Sequence, residues 1–250
     1  MIKSIIQRFL RYFNIQIYTV SGARRANELQ AEQKRIENLW LQHMQIKTII
    51  DIGANTGQFA AHIHKIIPDA MLYTFEPLQD CYEELVKNLT GVMQFKAFNL
   101  ALGNESGTTE IHRSEYSQSS SLLPMAKLHK ESFPFTENET IQTIKVAKLD
   151  EIANEMQLHK PLMIKIDVQG FEDKVIAGGL QTISLADIII VEMSIEPLYE
   201  GQSLFPDIHK TLTEQGFQYR GNYEQLYNPI DGRILQVDGI FVKSNSTTSE

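Results

Sequence analysis

The chain has 250 residues, of which 42% are hydrophobic and 22% are charged, and its formal net charge is −8. This length and composition predict one globular domain with modest additions. The acidic balance argues against a nucleic-acid binder. The single cysteine excludes an intrachain disulfide framework and a cysteine-based zinc site, and no apolar run reaches the roughly 18 residues of a transmembrane helix.

The N-terminal segment differs from the rest because residues 1–25 carry five basic residues and no acid. Their apolar residues recur at helical spacing, which predicts a basic amphipathic helix. Such a helix either attaches weakly to a membrane surface or packs on the domain or a second subunit, and the packing interpretation is favoured. With a second helix expected from about 24 to 45, residues 1–45 form a helical extension. We therefore expect a cytoplasmic protein, with peripheral membrane contact and the oligomeric state left open.

From residue 46 onward, apolar runs alternate with helical patterns. Runs at Thr48–Ile52, Met71–Phe75 and 92–102 predict strands, with amphipathic helices between them. Consecutive βαβ units of this kind indicate an α/β fold with right-handed crossovers. After the middle of the chain the alternation resumes with strands at 161–167 and 186–193.

Two further strands, 108–113 and 141–149, flank a polar stretch without periodicity. We interpret residues 114–140 as a lid or substrate loop, with a disordered insertion as the alternative. Two antiparallel strands end the domain at residue 243, and the tail at 244–250 is expected to be disordered.

The turn after the first strand raises the question of its ligand. A dinucleotide site would carry G-x-G-x-x-G, whereas this chain has DIGANTG, with Asp51 two residues before Gly53. A carboxylate there would repel a pyrophosphate but attract an ammonium group. Glu76 follows the second strand, where an acid binds both hydroxyls of a ribose. A ribose and a positive charge without a phosphate describe S-adenosylmethionine; a tight turn without a ligand is the alternative.

Three segments, DIGANTGQF, FEP and KIDVQGFEDKVIAGG, resemble the FkbM family of S-adenosylmethionine-dependent methyltransferases, as do NLALGNESG and QSSSLLP. The resemblance runs from about Thr48 to Ser194 and implies a class I methyltransferase fold, and we place this domain at residues 46–243. Its Rossmann-like three-layer sandwich would hold a seven-stranded, mostly parallel sheet with one antiparallel strand. It also implies O-methylation of a hydroxyl on a sugar, a glycan or a secondary metabolite, so the expected partner is a small-molecule or glycan acceptor.

The resemblance further implies which residues bind the cofactor. Matching positions cover the cofactor loop, the ribose acid, the segment beside the adenine, the long loop and the fourth strand end: Asp51, Gly53, Ala54, Asn55, Gly57, Glu76, Pro77, Asn99, Ala101, Ser119, Ser120 and Asp167.

An alcohol oxygen needs help to lose its proton, so a general base is expected. Asp167 is the first candidate, with a hydrogen bond to the cofactor or a helix cap as its alternative role. Glu172 and Glu192 are the second choices. No ligand spacing identifies a metal site, so metal dependence stays open, with no metal as the default. The alternative functions are a nicotinamide-dependent oxidoreductase and a non-catalytic binding protein on the same fold.

Overall fold

The computed structural model describes residues 20–244. The strands are β1 (Thr48–Ile52), β2 (Met71–Phe75), β3 (Phe95–Phe98), β4 (Ala101–Leu102), β5 (Gly107–Ser114), β6 (Glu139–Ala147), β7 (Leu162–Ile166), β8 (Ile188–Ser194), β9 (Phe217–Tyr227) and β10 (Ile234–Lys243). The helices are α1 (Val20–His43), α2 (Gln58–Ile66), α3 (Gln79–Asn88), α4 (Lys127–Ser132), α5 (Leu149–Ile152), α6 (Glu172–Gly178), α7 (Leu180–Leu185) and α8 (Phe205–Glu214).

The chain divides after His43 into two compact units. The described part of the first is α1, which confirms the predicted second helix, although it begins at Val20 rather than near residue 24. Residues 1–19 of the predicted basic helix lie outside the described part of the chain, and so do residues 245–250 of the predicted tail. Within residues 20–244, no helix is long and apolar enough to span a membrane.

The main sheet of the second unit has seven strands in the order β3-β2-β1-β7-β8-β10-β9. The first five run parallel, and β10 is antiparallel to both of its neighbours. Helices connect the parallel strands, and the strand order runs in both directions away from β1, as in a doubly wound sheet. The predicted class I methyltransferase fold, with one antiparallel strand, is confirmed.

Burial explains why the central strands are so apolar. Every residue of β1, β7 and β8 is buried, as expected for parallel strands covered by helices on both faces. Their carboxyl ends point to one edge of the sheet, and the strand order reverses between β1 and β7. Ligands of open α/β sheets bind at such a switch point.

The single strand predicted for 92–102 is wrong, because the chain there forms β3 and β4, which belong to different sheets. Asn99 separates them: its amide donates to the carbonyls of Glu76 and Pro77, at 3.0 and 3.2 Å. These bonds turn the chain out of the main sheet, and β4 then pairs with β6.

The second sheet, β4-β6-β5, supports the segment predicted as a lid, residues 114–140. That segment contains α4 and two 3-10 turns, at Ser117–Ser119 and Pro134–Thr136. Met125 is buried against Leu198, Tyr199 and Leu235, and the Ala126 N–H donates to the Leu198 carbonyl at 2.9 Å. The segment is therefore packed on the domain, which the absence of periodicity did not predict.

Candidate active site

A cavity of about 600 Å³ opens at the switch point of the main sheet, within the range of about 300–1,000 Å³ for small-molecule sites. The residues after β1, β2 and β7 line it, and so does the segment 116–122 from above. Lining residues on β10 and β9 extend it toward the antiparallel edge. From Glu76 after β2 to Asp238 on β10 the cavity crosses four strand spacings, roughly 19 Å.

The turn after β1 brings the backbone close to the strand end of β7. Gly53 has φ +82°, and a Cβ there would lie 1.8 Å from the Asp167 carbonyl oxygen. Only glycine fits this contact. Gly57 also has a positive φ, +87°, and directly precedes α2. Gly53 therefore brings the β1 turn against the end of β7, whereas Gly57 faces Leu85 on α3.

Glu76 holds this turn from the end of β2. Its Oε2 accepts a hydrogen bond from the Asn55 N–H at 2.9 Å, and its Oε1 accepts one from the Leu78 N–H at 2.8 Å. Each oxygen keeps a second lone pair for a ligand. Burial raises the pKa of Glu76 to about 7, although these two hydrogen bonds oppose the change.

Asp51 lies behind the cavity wall. It is fully buried on β1, and neither carboxylate oxygen has a hydrogen-bond partner among the described residues. Burial raises the pKa of Asp51 to about 6, with the charge of Lys165 opposing and that of Asp167 adding to the effect. Asp51 is not among the residues that line the cavity.

A polar network joins the ends of β7 and β8. Lys165 Nζ lies 2.6 Å from Asp167 Oδ2, and Gln169 Nε2 donates to Asp167 Oδ1 and to both oxygens of Glu192, each at 2.9 Å. The Tyr199 hydroxyl donates to Gln169 Oε1 at 2.8 Å. The network fixes the side chain of Gln169, whose backbone has a positive φ of 56°.

Lys165 decides the charge state of Asp167. Burial opposes ionisation of Asp167, but the charge and hydrogen bond of Lys165 outweigh it, so the pKa of Asp167 lies below its ordinary value. Burial likewise opposes the charge on Lys165, but Asp167, Asp51 and Asp238 raise its pKa above the ordinary range. Asp167 is thus an ionised, paired carboxylate and a weak base.

Acidic side chains continue in a row across the antiparallel edge. Asp238 on β10 is directly opposite Glu192 on β8 and directly opposite Glu224 on β9. Burial and the neighbouring charge of Asp167 raise the pKa of Asp238 to about 7. Burial, followed by the charges of Asp167, Glu172 and Asp238, raises the pKa of Glu192 well above its ordinary value. Asp238 therefore binds a proton near neutral pH, and Glu192 holds its proton more tightly than an ordinary carboxyl group.

Glu172, a predicted second-choice base, lies beneath the loop after β7 rather than in the cavity wall. Its Oε1 accepts hydrogen bonds from the Val168 and Gly170 N–H groups, at 3.0 and 3.1 Å. Burial raises its pKa to about 7. These contacts support the backbone of the loop, and the carboxylate has no direct access to a substrate in the cavity.

The segment above the cavity is tied to both loops. Asn55 Nδ2 donates to Ser117 Oγ at 3.1 Å, and Ser121 Oγ donates to the Gln169 carbonyl at 2.6 Å. Ser120 Oγ accepts the Ser114 N–H at 3.1 Å. The loop hydroxyls thus fix the segment over the cavity, and Ser119 is buried within its 3-10 turn.

Most of the predicted site residues do meet at this cavity. The residues that line it are Gly53, Ala54, Asn55, Glu76, Pro77, Ala101, Ser119, Ser120, Asp167 and Glu192. The predicted residues outside its wall are Asp51, Gly57, Asn99 and Glu172; Asn99, predicted beside the adenine, instead uses its amide on the backbone of Glu76 and Pro77.

The sequence analysis missed Lys165 and Asp238, and both left a signal. Each is a charged residue within a strand that otherwise reads as apolar, LMIKI for β7 and ILQVDGIFVK for β10. A charge in such a position is buried only with a partner or a function. His129 on α4 was also missed, because the segment around it showed no periodicity.

No metal site is evident in the described residues: among residues 20–244, no three His, Cys, Asp or Glu side chains are arranged to hold an ion.

Comparison with known proteins identifies the family of this chain. The model of the methyltransferase FkbM domain matches residues 51–219, more than half of the chain. The chain belongs to the FkbM methyltransferase family. The predicted family is thereby confirmed, and with it the predicted methyl donor, S-adenosylmethionine. The oxidoreductase alternative is excluded by the same match.

This FkbM methyltransferase has several similar relatives. It is 30% identical over 161 residues to the 2-O-methyltransferase NoeI of Sinorhizobium fredii, covering 62% of this chain and 66% of that protein, just under two thirds of its length. It is 26% identical over 200 residues to the hexuronic acid methyltransferase AglP of Haloferax volcanii, covering 79% and 74%. A solved structure of Aeropyrum pernix fibrillarin with S-adenosyl-L-methionine aligns with a TM-score of 0.47 and 12% identity, covering 83% and 74%.

Proposed function

We propose that this FkbM methyltransferase transfers the methyl group of S-adenosylmethionine to a hydroxyl group of a sugar. One observation carries the proposal: a single cavity joins Glu76 after β2 to Asp167 after β7 and to the carboxyl groups of Glu192 on β8 and Asp238 on β10. A nucleoside and an alcohol can occupy such a cavity side by side, and holding both in line is the main requirement of a displacement reaction.

The residues around Glu76 fit the nucleoside part of the donor. Both Glu76 oxygens keep a lone pair for a hydroxyl, which suits the two adjacent hydroxyls of a ribose. The backbone of Gly53 packs against the Asp167 carbonyl, and Gly53, Ala54 and Asn55 of the β1 turn line the cavity beside it. Ala101 contributes to an apolar wall beside Glu76, together with Leu100, Leu102, Ile111 and Leu122. An apolar wall of this kind suits a purine ring.

The positive charge of the donor suits the acidic end of the cavity. Asp167 lines the cavity as an ionised carboxylate, and Asp51 lies behind it. When bound, the donor supplies an electrophilic methyl group on a sulfonium. We assign to Asp167 the stabilisation of this cationic ligand, in place of the base role that the sequence suggested, because Lys165 and Gln169 already occupy its oxygens.

Glu192 and Asp238 are the better candidates for the general base. Both line the cavity, and Asp238 has a pKa of about 7, raised chiefly by burial. A base with a pKa near the working pH combines a sufficient ionised fraction with a useful affinity for the proton. We infer that the proton of the acceptor hydroxyl passes to the Asp238 carboxylate, with Glu192 beside it.

The relatives support the choice of a hydroxyl acceptor. The Sinorhizobium relative is named a 2-O-methyltransferase, and the Haloferax relative is named for a hexuronic acid, which is a sugar derivative. The hydroxyl-rich surface of a sugar also suits a cavity wall of carboxylates and amides.

Methyl transfer is tested with S-adenosylmethionine carrying an isotopically labelled methyl group and a panel of mono- and disaccharide glycosides, followed by mass spectrometry. We expect a labelled methyl ether on at least one sugar, and loss of the signal in Asp238→Asn. If the donor binds but label appears only on amines or thiols, or on no acceptor, sugar O-methylation is wrong.

A further inference from the structure

The charges that line the cavity are unequal. Five lining side chains are carboxylates, whereas Lys165 is the one lysine or arginine among the lining residues that the described chain provides; the five are Glu76, Asp167, Glu192, Glu224 and Asp238. Lys165 Nζ is already 2.6 Å from Asp167 Oδ2. An anionic sugar that enters this cavity therefore meets carboxyl groups, and the one lining lysine is already paired with Asp167.

The acidic row is costly, which argues that it has a use. Glu192, Asp238 and Glu224 are direct cross-strand neighbours, and like charges in that position destabilise a sheet. Two of the three side chains are also largely buried, which adds the cost of desolvation. Sites that violate packing rules in this way are commonly functional.

Hydrogen-bonding capacity points in the same direction. The Gln169 amide nitrogen is fully used by Asp167 and Glu192, whereas no described residue donates to the Asp238 carboxylate. His129 also lines the cavity, is 4% exposed, and its Nδ1 has no partner among the described residues. Burial lowers the pKa of His129 to about 4, so its ring is neutral and can accept a hydrogen bond. The wall thus offers acceptors in excess of donors.

We propose that the methyl acceptor is a sugar without an anionic group, either uncharged or bearing an ammonium group, and that the row Glu192–Asp238–Glu224 excludes uronic acids and sugar phosphates. The inference rests on the proposed function, because it names the acceptor class of the same site. Hydroxyl and ammonium groups donate hydrogen bonds to the row, whereas a carboxylate or phosphate would be repelled by it. The acceptor class therefore differs from the one in the name of the Haloferax relative.

The donor does not remove this selectivity. S-adenosylmethionine carries a sulfonium, an ammonium and a carboxylate, and so adds one net positive charge. The five lining carboxyl groups still outnumber the positive groups of Lys165 and the donor, and the row ionises further as the pH rises above about 7, the pKa of Asp238. After transfer the product of the donor is neutral, so the repulsion of an acidic sugar would also persist in the product complex.

The test uses matched sugar triplets of gluco, galacto and manno configuration. Each triplet contains a methyl glycoside, the corresponding methyl uronoside and the 2-amino sugar. We expect kcat/KM for the neutral and amino forms to exceed that for the uronoside by at least about tenfold, since like-charge juxtaposition opposes binding strongly. Glu224→Gln, which leaves the proposed base in place, should raise the kcat/KM of the uronoside relative to the neutral sugar at least threefold. Glu110→Gln removes an exposed strand carboxylate opposite Thr143 and should leave the ratio unchanged.

A second readout separates this inference from the proposed function. Saturation-transfer NMR on protein loaded with S-adenosylhomocysteine measures binding of the same triplets without turnover. If no sugar is methylated but neutral and amino sugars bind in preference to uronosides, the proposed function is wrong and the selectivity of the cavity against acidic sugars stands. Equal or stronger binding or turnover of uronosides, or binding of no sugar in the triplets, overturns the inference.

Discussion

Replacement of Asp238 by asparagine should stabilise the protein, and only at neutral to alkaline pH. The pKa of Asp238 rises from 3.8 to about 7 on folding, chiefly through burial and the charge of Asp167. The folded state therefore binds this proton more tightly than the unfolded state, so the wild-type protein loses stability as the pH rises from about 4 to about 7. Asparagine resembles the protonated form and avoids that loss.

Two estimates bound the size of the effect. Each pH unit corresponds to about 1.4 kcal/mol, so the raised pKa represents at most about 4 kcal/mol. The two like-charge neighbours, Glu192 and Glu224, suggest about 0.4–2 kcal/mol at 0.2–1 kcal/mol for each pair. We take about 2 kcal/mol, which in a domain of this size raises Tm by about 4–8 °C.

Thermal and urea unfolding at about pH 4 and about pH 8.5 measure this effect. Asp238→Asn should unfold within about 1 °C of the wild type at the lower pH and clearly above it at the higher pH. Glu110→Gln, which removes an exposed carboxylate opposite Thr143, should change Tm little at either pH. If Asp238→Asn destabilises the protein at pH 8.5, or shifts Tm equally at both values, the acidic row is not under the repulsion described.

The other predictions concern the donor loop, the buried ion pair and the base. Gly53→Ala should abolish the rise in Tm that S-adenosylmethionine produces, because a Cβ would lie 1.8 Å from the Asp167 carbonyl oxygen. Gly91→Ala is the control, since Gly91 also has a positive φ, +98°, but no atom lies near its Cβ position, and this variant should retain the rise. Equal ligand-induced Tm shifts in the two variants would contradict the close contact. Lys165→Met should lower the free energy of unfolding by about 3–5 kcal/mol, because it leaves the Asp167 carboxylate without its cation. The double variant Lys165→Met/Asp167→Asn should recover part of this loss. If urea unfolding shows that the two single losses add, the pairing is refuted. The kcat/KM of the wild type should rise between about pH 6 and about pH 8 as Asp238 ionises, and a profile unchanged in Asp238→Asn would exclude it as the base.

Local sequence patterns predicted the central sheet well. The Ile-rich runs that became β1, β7 and β8 are buried on both faces, so their hydrophobicity reports their position directly. The turn after β1 was also readable, since Gly53 is required by a close backbone contact that no other residue permits. The motifs after β1, β2 and β7 meet in space because parallel strands end at one edge.

Contacts between residues that are distant in the sequence could not be predicted from local sequence patterns. The chain leaves the main sheet at Asn99 because that amide binds the carbonyls of Glu76 and Pro77, about 22 residues earlier. Asp167 stays ionised because it pairs with Lys165. The direction of the two side chains, rather than their spacing in the sequence, determines this contact. The acidic row depends on the register of β8, β10 and β9, which a single sequence does not specify.

The most direct test of the account measures how the protein recognises the ribose of its methyl donor. Calorimetric titration compares S-adenosylhomocysteine with its 2′-deoxy and 3′-deoxy analogues on the unmodified protein. Each deoxy analogue removes one hydrogen bond to the Glu76 carboxylate, worth about 1.5–3 kcal/mol, so its Kd should be roughly 10- to 100-fold weaker. Equal affinity for all three ligands, or no binding of S-adenosylhomocysteine, would contradict the claim that this cavity holds a methyl donor through Glu76.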